Sequence, residues 1–242
     1  MIVNYPRMRR RAAWPNDLDT ALEFASANPF SISAPKNWDG KLEYTNGSGW
    51  KTWDGGEITS GSVENKNAIY FRGVGNTKVT GVNGIWTITG QKISCNGNIE
   101  RLLNWEDVES GKHPKMSARC YASMFRDCTS LTTAPSMPAT TLATSCYASM
   151  FYKCTSLTTA PSLPATTLAT SCYNSMFYGC TKIKLSTTAS GTYTKSYRIP
   201  KSGTGATASS ALDNMFANTG GTFAGTPKIN TTYYLDESNT IV

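Results

Sequence analysis

The strongest constraint on this chain is a repeat in its middle. Residues 120–135 return almost letter for letter as residues 146–161, and the first half of that unit returns again as residues 172–180. The period is therefore 26 residues. A period in the twenties is typical of solenoids, in which each unit is too small to bury its own apolar face and stacks on its neighbours.

Each unit has two parts. Cys120, Met124 and Cys128 lie four residues apart and predict a short helix with an apolar stripe. Residues 131–134 favour an extended segment, and the prolines that follow prevent a return to helix. The sequence therefore predicts a coil of helix and strand with one turn per repeat.

The pattern Cys-Tyr-x-x-Met-Phe-x-x-Cys-Thr-Ser-Leu-Thr-Thr-Ala-Pro resembles the BspA-type leucine-rich repeats of bacterial surface proteins, and more closely the versions in gut Bacteroidales and their phages. The resemblance covers about residues 116–183 and recurs more weakly at residues 212–219. There both cysteine positions are replaced, as an atypical terminal cap allows. The resemblance implies a solenoid used for surface attachment and names no ligand.

Residues 30–95 have a different pattern, in which short apolar runs alternate with Asp-Gly and Asn-Gly turn signals. This spacing predicts a small antiparallel β-sandwich of Ig-like size. Residues 93–103 are predicted to be a hinge into the solenoid. The predicted strands cover residues 30–33, 41–44, 50–53, 68–72, 77–79 and 85–89.

The tail departs from the period, because Met215 follows Met176 by 39 residues. An insertion is therefore predicted within residues 184–205, with a hairpin at residues 191–198, and later residues close the coil. The predicted class is mainly β with short helices. Its parts are an anchoring arm (1–29), the sandwich (30–95), and a leucine-rich-repeat solenoid with a C-terminal cap (96–242).

The first 29 residues combine a basic cluster with a possible short helix over residues 17–27. One interpretation is an arm that docks onto other virion proteins, and the alternative is a solvated terminus. The predicted anchor residues are Arg7, Arg9, Arg10, Arg11 and Trp14.

Charge and hydropathy restrict the partners. The net charge of +7 comes without a recognisable nucleic-acid module, so no nucleic-acid partner is predicted. The sequence contains no run of 18 apolar residues, so no membrane span is predicted. The basic N-terminus is not followed by the apolar segment of a secretory signal, which favours a virion protein assembled in the host cytoplasm over an exported adhesin.

Catalytic and metal chemistry find little support. There is no Asp or Glu from Cys128 to Leu212, and the single histidine, His113, lies in a turn-like setting. The seven cysteines include no C-x-x-C pair and are predicted to be free, buried thiols. We therefore predict no enzyme, metal or cofactor. A capsule-degrading enzyme remains a minor alternative because the sandwich contains Asp39, Glu43, Asp54 and Glu57.

The candidate ligand contacts are positions that vary between copies of the repeat, since core positions must match from copy to copy. Arg126, Tyr152 and Tyr178 share one position, and Lys153 lies beside it. Trp38 and Trp53 are each followed by Asp-Gly. Either their rings stack on a sugar, or they are core residues that flank two hairpin turns.

The predicted function is a non-enzymatic phage virion protein, tail-fibre-like or surface-decorating, that attaches to a host-surface glycan or receptor. The alternative is a bacterial cell-surface adhesin with the same repeats. Homo-oligomerisation is left open.

Overall fold

A computed structural model describes residues 18–35, 40–80 and 84–242. This part of the chain is mainly β, with four open sheets and one short α-helix, α1 (Arg101–Glu109), so the predicted class of a mainly β chain is confirmed. None of its helices is both long and apolar enough to cross a bilayer. The strands are β1 (Leu22–Ser26), β2 (Ser31–Ser33), β3 (Leu42–Thr45), β4 (Lys51–Trp53), β5 (Ile58–Thr59), β6 (Gly61–Val63), β7 (Lys66–Gly73), β8 (Thr87–Thr89), β9 (Ile93–Asn96), β10 (Leu131–Thr133), β11 (Thr159–Ala160), β12 (Lys184–Ser186), β13 (Tyr193–Arg198), β14 (Gly220–Gly221), β15 (Thr232–Asp236) and β16 (Thr240–Ile241).

A seven-stranded sheet forms the N-terminal half, in the order β10-β9-β1-β7-β3-β4 with β6 also paired to β7. Strand β1 lies inside this sheet between β7 and β9, so the predicted helix over residues 17–27 is wrong. Leu22 and Phe24 point into the core at 0% exposure, and Glu23 between them contacts Lys66 and Tyr70. This alternation is a strand period, and residues 18–29 belong to the sheet region rather than to an arm.

A smaller sheet, β5-β2-β8, completes the N-terminal core. Strands β2, β4 and β8 fall within predicted strands, and β3 and β7 overlap predicted strands but extend beyond them, whereas residues 77–79 are not a strand. Strands β5 and β6 were not predicted. Strand β6 turns into β7 through Glu64 and Asn65, both of which have a positive φ, as a tight hairpin turn requires.

The two halves of the chain share a sheet. Strand β10, from the first repeat, pairs in parallel with β9 through Leu131 and Ile93. The predicted hinge at residues 93–103 therefore contains a strand and the first residues of α1 instead. One continuous hydrophobic core runs from the N-terminal sheets into the repeats.

The repeat contains four copies of one segment: residues 118–128, 144–154, 170–180 and 209–219. Each copy is a chain of tight turns. In the first copy Arg119, Ser123 and Asp127 have φ values of 60°, 57° and 60°, and Met124 N–H donates to the carbonyl of Tyr121, three residues earlier. The helix predicted in each copy is therefore wrong, because apolar residues four apart fit a four-residue turn period as well as a helix.

Alternate N–H groups of each copy donate to the next copy, so the copies stack. Tyr121 N–H donates to Cys146 O and Phe177 N–H to Met215 O, both at 2.9 Å. The weak match at residues 212–219 is thus part of the stack. Beyond it, Phe216 N–H donates to Gly225 O.

The C-terminal residues enter the side of the stack. The predicted hairpin at residues 191–198 is wrong, because β13 pairs with β15, over 30 residues away in sequence, in the sheet β13-β15-β12-β14. Strand β16 pairs in parallel with β11. Between them the buried Asn239 donates to Thr158 O (3.0 Å) and Lys182 O (2.8 Å) and accepts from Lys184 N–H (2.9 Å). Asn239 thus joins the strands that follow the second and third copies.

Candidate functional site

The four-residue turn period sets the outer surface of the stack. In the first copy positions 120–121 and 124–125 are buried, whereas positions 122–123 and 126–127 are partly or fully exposed. The same order holds in the second copy and, apart from the buried Gly179, in the third. Positions 126–127 and their equivalents therefore form two neighbouring columns on the outside.

Arg126, Tyr152 and Tyr178 form one of these columns, here called the contact column. The guanidinium carbon of Arg126 lies 4.4 Å from the ring centroid of Tyr152. The rings of Tyr152 and Tyr178 stack 4.7 Å apart at an interplanar angle of 4°. All three side chains belong to partly exposed residues. The structure thus brings together the residues that share one repeat position, and their contact with a ligand stays a prediction.

Lys153 lies beside the contact column. Its ammonium nitrogen is 5.5 Å from the ring centroid of Tyr152, and the residue is exposed. Its aliphatic stem lies against Gly179, where an added Cβ would stand 3.0 Å from Lys153 Cγ. Gly179 therefore leaves room for the lysine to lie along the stack.

The surroundings of the contact column are almost uncharged. Lys153 is the only charged side chain from Thr129 to Cys180. Arg126 lies 3.4 Å from Asp127 in an exposed ion pair, which contributes little stability but offsets the guanidinium charge. A phosphate backbone is bound through several basic contacts, and this surface carries few basic side chains.

The column ends at a residue that the sequence analysis did not single out. Ala217 occupies the contact-column position in the fourth copy, and Gly179 N–H donates to its carbonyl (2.8 Å). The 39-residue spacing of Met176 and Met215, applied to Tyr178, would have identified it.

The other predicted ligand contacts do not join this surface. Trp53 is 3% exposed, and its ring lies 4.8 Å from Phe71 and 4.9 Å from Trp86. Its indole N–H donates to Gly56 O (2.7 Å). Trp53 is therefore a core residue, and its prediction as a ligand contact is wrong. Trp38 and the predicted anchor residues Arg7, Arg9, Arg10, Arg11 and Trp14 lie outside the described residues.

A second aromatic cluster lies on the N-terminal sheet. The Arg72 guanidinium carbon stands 4.0 Å from the Trp50 ring and 4.7 Å from the Trp105 ring, and its Nε donates to Glu43 (2.7 Å). The arginine fills the space between the two indoles, so this cluster joins α1 to the sheet. No signal in the sequence pairs residues so far apart.

His113 contacts a buried carboxylate. Its Nδ1 is 2.8 Å from Glu100 Oε2, and the Glu100 side chain is 1% exposed. Burial raises the pKa of Glu100, although the His113 contact opposes the shift. His113 itself is exposed, and Glu100 is the hydrogen-bond partner of its Nδ1.

The acidic residues of the sheet region have separate partners. Glu43 pairs with Arg72, and Asp54 accepts from Gly56 N–H (2.8 Å). Glu57 lines an open depression of about 340 Å³ together with Ser31 and Thr59. Asp39 lies outside the described residues. A depression with one carboxylate does not provide the acid pair of most glycosidases.

All seven cysteines are free and buried, which confirms the prediction of core thiols. Burial raises the pKa of these thiols, to about 12 for Cys172 and Cys180. They are therefore protonated and poorly nucleophilic near neutral pH. Within the described ranges, no three His, Cys, Asp or Glu side chains are grouped so as to hold a metal ion.

Comparison with known proteins gives no relative: no protein-family profile matches the chain, and no curated protein or solved structure is significantly similar to it.

Proposed function

We propose that this chain is a non-enzymatic attachment protein in which a short BspA-type leucine-rich-repeat solenoid holds the contact column against a neutral glycan of a bacterial surface. The observation that carries the proposal is the continuity of the column. Arg126, Tyr152 and Tyr178 stack over three copies, partly exposed, on a face with almost no net charge. Tyrosine and arginine give a large contact area at modest cost in side-chain entropy.

We further propose that the protein belongs to a phage virion, as a tail-fibre-like or surface-decorating component. The support is the likeness of the repeat to those of gut Bacteroidales phages. In this proposal an Ig-like sandwich carries the solenoid, and the basic N-terminal arm docks onto other virion proteins. The same repeats also occur in bacterial adhesins, so a cell-surface location is the competing proposal.

The absence of catalysis is part of the proposal. Its support is the separate engagement of the acidic residues described above and the high thiol pKa values. A column of stacked rings offers contact area for a ligand.

The attachment proposal is tested by binding of the fluorescently labelled protein to encapsulated Bacteroidales cells and to matched cells without capsule. We expect capsule-dependent binding that falls about tenfold or more in the double variant Tyr152→Ala/Tyr178→Ala, the loss typical of interface hot spots. The matched control is Tyr193→Ala, which removes a partly exposed tyrosine of β13. Equal binding by the double variant and the wild type would refute the role of the column.

The setting is tested by mass spectrometry of purified phage particles and of the host envelope from the same culture. Stoichiometric amounts in the particles support a virion protein, whereas recovery only from the envelope supports the adhesin. In parallel, release of reducing sugar from capsule would overturn the non-enzymatic assignment.

A further inference from the structure

The two faces of each ring in the contact column have different surroundings. One face of Tyr152 is covered by Arg126 and the other by Tyr178. Because the Tyr152 and Tyr178 rings are parallel within 4°, the second face of Tyr178 points away from Tyr152, toward the fourth copy. Both faces of Tyr152 are therefore covered within the column, whereas among the described residues no ring or cationic group stacks on the second face of Tyr178.

The residue that would cover this face is Ala217. It holds the contact-column position of the fourth copy, as the bond from Gly179 N–H to its carbonyl establishes. An alanine side chain ends at Cβ and cannot extend over a tyrosine ring. The column thus ends in a step: a ring face above and a small side chain below.

The surroundings of the step are polar. Asn218 of the fourth copy is exposed and continues the outer column of Asp127 and Lys153, and the exposed Asp213 and Asn214 hold the positions equivalent to 122–123 of the first copy. Amide and carboxylate groups beside an aromatic face are suited to a sugar, whose apolar ring face stacks while its hydroxyls form hydrogen bonds. Lys153 lies on the neighbouring outer column, with its ammonium nitrogen 5.5 Å from the ring centroid of Tyr152.

We propose that the step formed by Tyr178 and Ala217 is a binding site for one pyranose ring of a neutral glycan, stacked on the free face of Tyr178. This inference rests on the proposed attachment function and adds to it the position and orientation of the bound sugar. Tyr152 and Arg126 then serve to hold Tyr178 flat and to extend the contact along the polymer.

One substitution is expected to fill the proposed site. Ala217→Tyr places a fourth ring in register with the column, where it stacks on Tyr178 as Tyr178 stacks on Tyr152. The variant removes no group from the protein and adds no charge, yet it occupies the site. The matched control Ala217→Ser leaves the step open, and Tyr193→Ala removes a partly exposed tyrosine of β13, away from the column.

The experiment measures binding of the wild type and these variants to an immobilised array of neutral gluco-, manno- and galacto-oligosaccharides. We expect Ala217→Tyr to weaken binding about tenfold or more, the effect of losing one well-packed anchor, while Ala217→Ser and Tyr193→Ala stay close to wild type. Tyr178→Leu, which keeps an apolar side chain but no ring face, gives the same loss and replaces Ala217→Tyr as the test if that variant does not fold.

The outcomes separate this inference from the attachment proposal. Array binding that survives both Ala217→Tyr and Tyr178→Leu overturns the step and leaves attachment intact. A wild type that binds neither the array nor encapsulated cells overturns both. Tighter binding to a single-stranded oligothymidylate than to any oligosaccharide replaces the sugar by a nucleobase and overturns the assignment.

Discussion

The N-terminal sheets and the repeat stack are both rich in buried aromatic rings, but the rings are packed differently. In the sheets Phe24 and Phe71 meet at 87°. In the stack Tyr121 and Tyr147 lie 5.3 Å apart at 2°. Both arrangements are among those that aromatic pairs prefer. The parallel one is selected in the stack because the backbone places equivalent residues of successive copies at about the spacing of paired strands.

This difference determines what sequence variation means in each region. Each core position of the sheets is occupied by a different residue that fits one place. In the stack the buried Tyr, Met and Phe positions are the same in the first three copies, and the position that changes from Arg126 to Tyr152 is exposed. Positions that differ between copies of the repeat therefore indicate which side chains lie at the surface.

The largest effect is expected at the centre of the stack. Phe151→Ala removes a buried ring that stacks on Phe125 and Phe177. We expect a loss of about 3–5 kcal/mol in the free energy of unfolding, measured by chemical denaturation, as for other buried aromatic truncations. Its neighbour Tyr152→Ala, on the exposed column, should cost about 1 kcal/mol or less. Equal costs for the two variants would contradict the assignment of inside and outside.

The same measurement on Phe71→Ala sharpens the comparison. Because one core joins the sheets to the stack, we expect Phe71→Ala and Phe151→Ala to shift a single unfolding transition. Two transitions, each shifted by only one variant, would show that the two regions fold independently.

The next effect concerns the contact between the C-terminus and the stack. Asn239→Ala removes three hydrogen bonds of a buried side chain and leaves the backbone groups of Thr158, Lys182 and Lys184 without that partner. We expect a loss of about 2–3 kcal/mol, typical of unsatisfied buried polar groups, in the same denaturation assay. The exposed Glu237→Ala is the control and should remain within about 0.5 kcal/mol of wild type.

A pH-dependent change in the free energy of unfolding is expected from Glu100, the residue that precedes α1. Because burial raises the pKa of Glu100 above its ordinary value of 4.5, the folded state binds this proton more tightly than the unfolded state. The free energy of unfolding therefore falls as pH rises from 4.5 through the raised pKa. Glu100→Gln removes this contribution, so the variant should gain stability relative to wild type between pH 4 and pH 7, measured by denaturation across roughly that range. A constant difference across the range would contradict the shift. The exposed Glu106→Gln serves as the control.

The smallest expected effects are changes of opposite sign in the free energy of unfolding at two stacked, buried tyrosines, Tyr121 and Tyr147. Within the described chain the buried hydroxyl of Tyr147 has no hydrogen-bond partner, whereas that of Tyr121 donates to Ile99 O (3.2 Å). Tyr147→Phe should therefore stabilise the protein by about 1 kcal/mol, and Tyr121→Phe should destabilise it by a similar amount. Shifts of the same sign in thermal and chemical denaturation would refute this distinction.

The sequence predicts the stack better than the sheets because the stack is governed by its own period. The 26-residue spacing identifies Cys120 and Tyr121 as inward-facing and Arg126 as outward-facing, since buried positions must match from copy to copy. It does not distinguish a helix from turns, because that choice depends on the N–H groups of Tyr121 and its equivalents, which reach the next copy rather than the same one.

Pairings between distant segments are beyond the reach of local patterns. Strand β1 resembles a short amphipathic helix until β7 and β9 flank it, and β13 resembles half of a hairpin until β15 pairs with it. At the candidate site the column follows from the repeat alone. The step at Ala217 requires, in addition, that the fourth copy stack in register across a 13-residue insertion, the excess of the 39-residue spacing over the 26-residue period.

The bridge made by Asn239 also decides where this molecule can grow. An additional 26-residue unit between the second and third copies would separate Thr158 from Lys182, which Asn239 holds together. A unit added between the first and second copies disturbs neither contact. Duplication there would lengthen the stack and place Tyr178 about 5 Å further from the N-terminal sheet with each added unit. The length of the stack and the candidate site at Tyr178 can therefore change independently of each other.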